Sequence, residues 1–157
     1  QFLYFIVLHV MVLKVATFNM LFEAHYARFA RVDRMPPDTR TQLHKEVLQS
    51  LSKQADVIFL QECHLHDKQF QDWCPSHHFV RATTRDRETS AIAFRNTLQM
   101  ESPPKMEHFT DARTGKKIPK CVVAAFLRTA EGKRFVAASC HLPWAPDLGS
   151  STSVVEE

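Results

Sequence analysis

Glycine is nearly missing from this chain, with three residues among 157. A phosphate cradle built from glycine-rich backbone is thereby excluded, and neither a GxGxxG nor a Walker A pattern occurs. The cysteines, Cys63, Cys74, Cys121 and Cys140, include no CxxC pair and suggest no disulfide framework, so a reducing compartment is the expectation. An excess of charge is lacking too, since 20 Lys and Arg against 17 Asp and Glu leave +3. That balance suits an anionic substrate without arguing for one, because scattered surface charge gives the same total. No apolar run reaches the roughly 20 residues that cross a bilayer. Phe2 to Leu13 is apolar apart from His9, but no basic segment precedes it and no small-residue cleavage site follows. Residues 1–12 read as an N-terminal extension, either of the first strand or foreign to the fold, and membrane attachment is not expected.

What remains is the composition of one ordinary globular domain, 45% hydrophobic and 24% charged. Residues 13–145 carry the pattern of that domain. From Pro146 the Gly/Ser/Thr-rich, acidic-ended tail (146–157) has no periodicity and reads as disordered.

Apolar runs predict a first strand over 11–20 and a second over 55–62. Between them Pro36-Pro37 precedes a helix that Asp38 or Thr39 is expected to cap. Leu43, Val47, Leu48 and Leu51 recur at helical spacing, predicting a stripe laid on a sheet. A short helix is expected over 65–73, then strands over 79–82, 91–95 and 105–110. A turn at 111–115 follows, and a hairpin pairs 122–128 with 134–142 across 130–133. The expected architecture is α/β: one mixed, largely antiparallel sheet with helices on one face.

Two strand ends carry the chemistry. Val15-Ala16-Thr17-Phe18 gives way to Asn19, and Val57-Ile58-Phe59-Leu60-Gln61 gives way to Glu62. Layered α/β folds gather their chemistry at the C-terminal edges of strands. A hard cation such as Mg2+ prefers carboxylate oxygen, which Glu62 offers, while the Asn19 amide can orient a phosphate or a water without adding charge. Two Cys-x-x-His pairs, Cys63/His66 and Cys74/His77, invite a zinc reading. The apolar context of the cysteines favours thiols acting as small core residues instead.

Val15–Asn19, Asp56–Glu62, Ser90–Arg95 and Ala138-Ser139-Cys140-His141-Leu142, in that order, resemble the N-terminal half of the endonuclease/exonuclease/phosphatase superfamily, over about Leu13 to Trp144. The resemblance implies the N-terminal part of a four-layer α/β/β/α sandwich. It implies a Mg2+-dependent (or Mn2+-dependent) phosphoesterase acting on a phosphate-ester substrate. Glu62 becomes a metal ligand, Asn19 a metal-bound or phosphate-orienting amide, and His141 the histidine that contacts the scissile phosphate. Arg95, ending its strand, is expected either to fork onto a phosphate at the same rim or to be a solvated strand end. Trp144 either stacks on a base or covers a sheet edge. Arg28, Arg31 and Arg34 read as a solvated loop face more readily than as a substrate patch. The long insertion between Asn19 and Glu62 and the His-Leu followed by Trp lean toward the deadenylase-like exoribonucleases, with RNA as substrate. Sphingomyelinase-like and inositol-phosphatase-like branches share these elements, and a non-catalytic binding module is the rival from another class.

The departures are as telling. The family's downstream Asp-x-Asn, later Asp and Ser-Asp-His have no counterpart, since Asp147 is the only Asp after His141. Ser90 stands where the family usually has Gly. The expectation is a partial domain whose missing C-terminal half is its main partner, inactive by itself, with an apolar sheet face left exposed.

Overall fold

The computed structural model describes residues 13–20, 36–82, 89–111 and 113–141. The extension 1–12, the arginine-bearing stretch 21–35, the connection 83–88, and everything beyond His141, including Trp144 and the tail, lie outside the described residues.

Two strands run as continuous apolar segments because both of their faces are covered. They are β2 (Val57–Cys63) and β4 (Thr89–Arg95), at the centre of a sheet completed by β1 (Val15–Asn19) and β3 (His77–Arg81). The order is β1-β2-β4-β3, with β1 and β2 parallel and the other pairs antiparallel. Side chains alternate across this sheet. Ile58, Leu60, Ala91 and Ala93 point to one face, where Leu48, Leu65 and Phe70 close the layer. Val57, Ile92 and Phe94 point to the other, onto Val123, Ala125, Leu127 and Ala137.

The first layer is supplied by α1 (Pro37–Gln54) and α2 (Asp67–Trp73). α1 begins one residue before the expected cap: Pro37 sits at its first turn, where a missing N–H costs nothing, and no side chain caps it. Its buried stripe is also rotated from the expected one. His44, Leu48 and Ser52 face the sheet, whereas Leu43 and Val47 are exposed. Helical spacing alone offers two adjacent apolar stripes, and only the docking angle chooses between them.

β5 (Gln99–Met100), β6 (Lys105–Thr110), β7 (Lys117–Arg128) and β8 (Arg134–Cys140) form a second sheet. β8 lies along one edge of β7, with β5 and β6 along the other. The α/β partial sandwich is as expected, but its strands divide between two sheets instead of forming one. Leu98 turns the chain out of the first sheet into the core between them. Gly115 and Gly132 take left-handed conformations, φ 66° and 82°, that close the turns into β7 and β8.

The apolar sheet face that is left exposed lies on the second sheet. The two sheets already cover each other, and it is the outer side of the second sheet that carries Val136, 56% exposed. Strand alternation puts Val122, Ala124 and Phe126 on the same outer side, paired with Cys140, Ala138 and Val136.

His44 gives this core a pH dependence. Burial first, then the nearby Arg40 and His64, bring its pKa down to about 4. Its ring meets Phe18 edge-on at 5.8 Å and His64 at 5.7 Å. An unfolded histidine titrates near 6.5. Between the two values the unfolded chain binds more protons, so the contribution is complete above about pH 6.5 and is lost as pH falls toward 4. Urea unfolding is expected to lose about 2 kcal/mol more between neutral and mildly acid pH in the parent chain than in His44→Gln. Parallel losses in both would show that the ring is not held neutral.

Candidate active site

β1 and β2 run parallel, with Asn19 opposite Gln61, so their polar C-terminal ends share one rim. β8 crosses β2 from the second sheet and arrives at the same rim. Ser139 Oγ donates to the Leu60 carbonyl at 3.0 Å, and Gln61 Nε2 reaches Ser139 Oγ at 3.5 Å. His141, the residue after β8, is thereby delivered over the end of β2.

In a regular strand Glu62 would follow Leu60 and point into the apolar layer under α1. It does not, because β2 is irregular between Leu60 and Cys63 and Glu62 itself adopts φ 50°. Gln61 already faces the second sheet through Ser139, and Cys63 returns to the core under the helices. The bulge re-aims the intervening carboxylate toward the second sheet. A left-handed conformation at a non-glycine residue costs roughly 1–2 kcal/mol, and such strain concentrates at functional sites.

The re-aimed carboxylate, 6% exposed, meets the other two predicted residues. Asn19 Nδ2 donates to Glu62 Oε1 at 2.9 Å, and His141 Nε2 lies 3.5 Å from the same oxygen. Three side chains separated by up to 122 positions in sequence thus converge on one point. Lys120, from β7, stands behind His141 with its Nζ 3.1 Å from Nδ1. Arg40, from α1, donates to the Met20 carbonyl at 3.1 Å, just past Asn19.

The other sequence-predicted residues lie elsewhere. Arg95 is not at this rim. β4 runs antiparallel to β2, so its C-terminal end sits beside the start of β2, roughly 20 Å of strand away. Its guanidinium pairs with Asp56 at 2.9 Å and donates to the Ala55 and Ser52 carbonyls at 2.9 and 3.4 Å. It ties off the C-terminus of α1, where a cation is electrostatically favoured. Arg95→Gln is accordingly expected to lower stability by about 1–3 kcal/mol, measured by urea unfolding, without altering Mn2+ binding. Weakened Mn2+ binding at unchanged stability would reverse that assignment. Trp144, Arg28, Arg31 and Arg34 fall outside the described residues.

Cys63, Cys74 and Cys121 behave as core, whereas Cys140, expected to do the same, is exposed on the outer side of β8. Burial pushes the Cys63 thiol up to about 11 and raises that of Cys74. His77 donates from Nε2 to the Ala55 carbonyl at 3.1 Å, and no group of three or more His, Cys, Asp or Glu gathers among the described residues. Ser90, buried, donates to the Cys121 carbonyl at 3.3 Å, a bridge between the sheets that glycine could not make.

Sequence reasoning missed Lys120, Arg40 and the Gln61–Ser139 link. Lys120 did leave a signal, a cation directly before the apolar run Cys121–Leu127 that pairs with the histidine strand.

No family model matches the chain, and no curated protein matches its sequence. Solved structures do share its fold. The human Nocturnin catalytic domain with bound sulfate superposes with a TM-score of 0.68 at 18% identity, over 83% of this chain and 50% of that one. ANGEL2, described as a 2′,3′-cyclic phosphatase in complex with adenosine-2′,3′-vanadate, gives 0.65 at 15% identity, over 85% and 42%. TDP2 of D. rerio with single-strand DNA product gives 0.56 at 18%, over 84% and 46%. The chain shares the fold of these structures and spans half or less of their length.

Proposed function

We propose that these residues form the N-terminal part of a divalent-metal-dependent phosphoesterase that cleaves nucleotide phosphate esters. The observation that carries the reading is the convergence of Asn19, Glu62 and His141 on one rim, achieved by a bulge that turns Glu62 out of its regular direction. The structures sharing the fold support the reading with phosphate-like ligands: a sulfate, an adenosine vanadate and a DNA product.

The donor set fits Mg2+ or Mn2+. Mg2+ is commonly bound through one or two carboxylates and substrate phosphate, keeping several waters. Glu62 would hold it, with the Asn19 amide beside it fixing the carboxylate or a bound phosphate oxygen. The cation supplies charge neutralisation at the phosphate and a more acidic water. His141 directs a ring nitrogen at the same point, where it can donate to a phosphate oxygen as charge develops. Activation of the water and departure of the leaving group need further side chains. We assign these to a second half-site of the Asp-x-Asn and Ser-Asp-His type, outside these 157 residues. Within the superfamily a 3′-exoribonuclease of the deadenylase kind is the preferred substrate class.

Titration of the 157-residue chain with Mn2+, followed by water-proton relaxation, tests the metal site. Weak stoichiometric binding at millimolar concentrations, lost in Glu62→Gln, is expected. Binding that is indifferent to Glu62 would leave a non-catalytic module as the better description. Incubation with Mg2+ and oligoadenylate is expected to give negligible hydrolysis from this chain. The same assay on a protein extended to include the second half-site tests substrate class, and shortening of a 3′-labelled DNA but not the RNA would exclude the exoribonuclease.

A further inference from the structure

Lys120 has no part in the resemblance that drew attention to this rim, yet it is the residue that addresses the far side of His141. We infer that Lys120 is a positioning residue that fixes His141 as the Nε2–H tautomer, so that the imidazole meets the reacting phosphate as a hydrogen-bond donor and not as a base.

Donor and acceptor capacity fixes the sense of this contact. A lysine side chain at neutral pH has protons to give and no lone pair to receive one. The 3.1 Å contact between Lys120 Nζ and His141 Nδ1 can therefore be a hydrogen bond in one sense only, with Lys120 donating into the Nδ1 lone pair. That assignment leaves the proton of a neutral imidazole on Nε2. Nε2 is the nitrogen facing the site, 3.5 Å from Glu62 Oε1, a carboxylate oxygen that only accepts. The hydrogen bond at Nδ1 requires this tautomer, and the 3.5 Å approach of Nε2 to the carboxylate, longer than an ordinary hydrogen bond, is electrostatically better with the proton on Nε2. The tautomer of a histidine is set by the hydrogen bond its second nitrogen makes.

The backbone makes this arrangement reproducible. Val122 of β7 is opposite Cys140 of β8, so Lys120 extends beside the residues that follow Cys140. Lys120 is partly buried, and its strand continues into the inward-facing Cys121 and Val123. Its reach to Nδ1 is thus set by the sheet that also aims His141 over the end of β2.

The consequence deepens the phosphoesterase reading, on which it rests for its chemistry. With Nδ1 occupied and Nε2 carrying the proton, His141 has no lone pair directed at the site. It can donate to a phosphate oxygen, but it cannot take the proton of an attacking water. The group that activates water must come from another residue.

The test is a ¹⁵N spectrum of the His141 ring in the labelled 157-residue chain at about pH 8, above the ordinary range of histidine titration. The expected pattern is a protonated, pyrrole-type Nε2 and a pyridine-type Nδ1 shifted by an accepted hydrogen bond. In Lys120→Met, Nδ1 is expected to shift to the position of a nitrogen without that bond, and in Lys120→Arg the shift is expected to be restored. Circular dichroism of each variant establishes that the fold is kept. A proton on Nδ1 in the parent chain would overturn the inference without any variant. So would ring resonances that are the same in the folded methionine variant as in the parent. Because the spectrum needs neither metal nor turnover, its failure is separable from a failure of the Mn2+ titration.

Discussion

Glu62→Gly is expected to abolish Mn2+ binding while leaving the chain more stable than Glu62→Ala by about 1 kcal/mol. In an ordinary strand the order is reversed, with glycine weaker than alanine by roughly 0.5–1 kcal/mol. The reversal follows from φ 50° at this position, where a Cβ is strained and glycine is not. The two variants share the loss of the carboxylate and of its contact with Asn19 at 2.9 Å, so their difference isolates the backbone. Metal binding is expected to fall on the order of 10–100-fold or more in both, since even outer partners of a ligand contribute that much. Chemical denaturation and Mn2+ relaxation on the same preparations provide the measurements. Equal or inverted stabilities would mean that the bulge is unstrained and that Glu62 is held by its surroundings at no cost.

Phe94→Ala is expected to be the most damaging single change in the described core, costing about 3–5 kcal/mol. Phe94 is 1% exposed and lies between the two sheets, against residues of the second sheet such as Leu127 and Val123. On the adjacent edge strand His78 rests against its ring at 5.3 Å. Removing the ring opens a cavity that two rigid sheets cannot collapse to fill. Domains of this size are held by only about 5–15 kcal/mol, so the variant is expected to show a greatly lowered urea midpoint. It would also release the second sheet that delivers His141 to the rim. Phe94→Leu, which keeps most of the volume, is expected to cost roughly 1.5 kcal/mol or less. A loss below about 1 kcal/mol for the alanine variant would mean that the sheets do not pack as described.

Much of this molecule was legible in local pattern. The doubly covered strands announced themselves as the uninterrupted runs Val57–Leu60 and Ala91–Phe94, because a strand buried on both faces has no room for alternation. The abrupt polar end of β2 marked Glu62, because a buried strand tolerates a polar side chain only where it emerges; Asn19 and His141 follow apolar runs too, although β1 and β8 proved half-exposed. The helices over 37–54 and 67–73 and the hairpin into β8 were within a residue or two of expectation, save for the longer reach of β7.

What depended on pairing between distant segments was not legible. Strand direction is one such property: Arg95 reads as a strand end like any other until β4 is seen to run against β2, which sends it to the opposite rim. The division of strands between two sheets is another, since periodicity reports how many faces of a strand are buried and not by what. The choice of α1 stripe and the meeting of Lys120 with His141 belong to the same kind, set by a docking angle and by inter-strand register. The bulge at Glu62 is the sharpest instance. The sequence by itself determined that a carboxylate would stand at the end of this strand, because only there can it leave the core. The tertiary structure alone decided which way it points, because one residue in a left-handed conformation reverses the face a side chain takes.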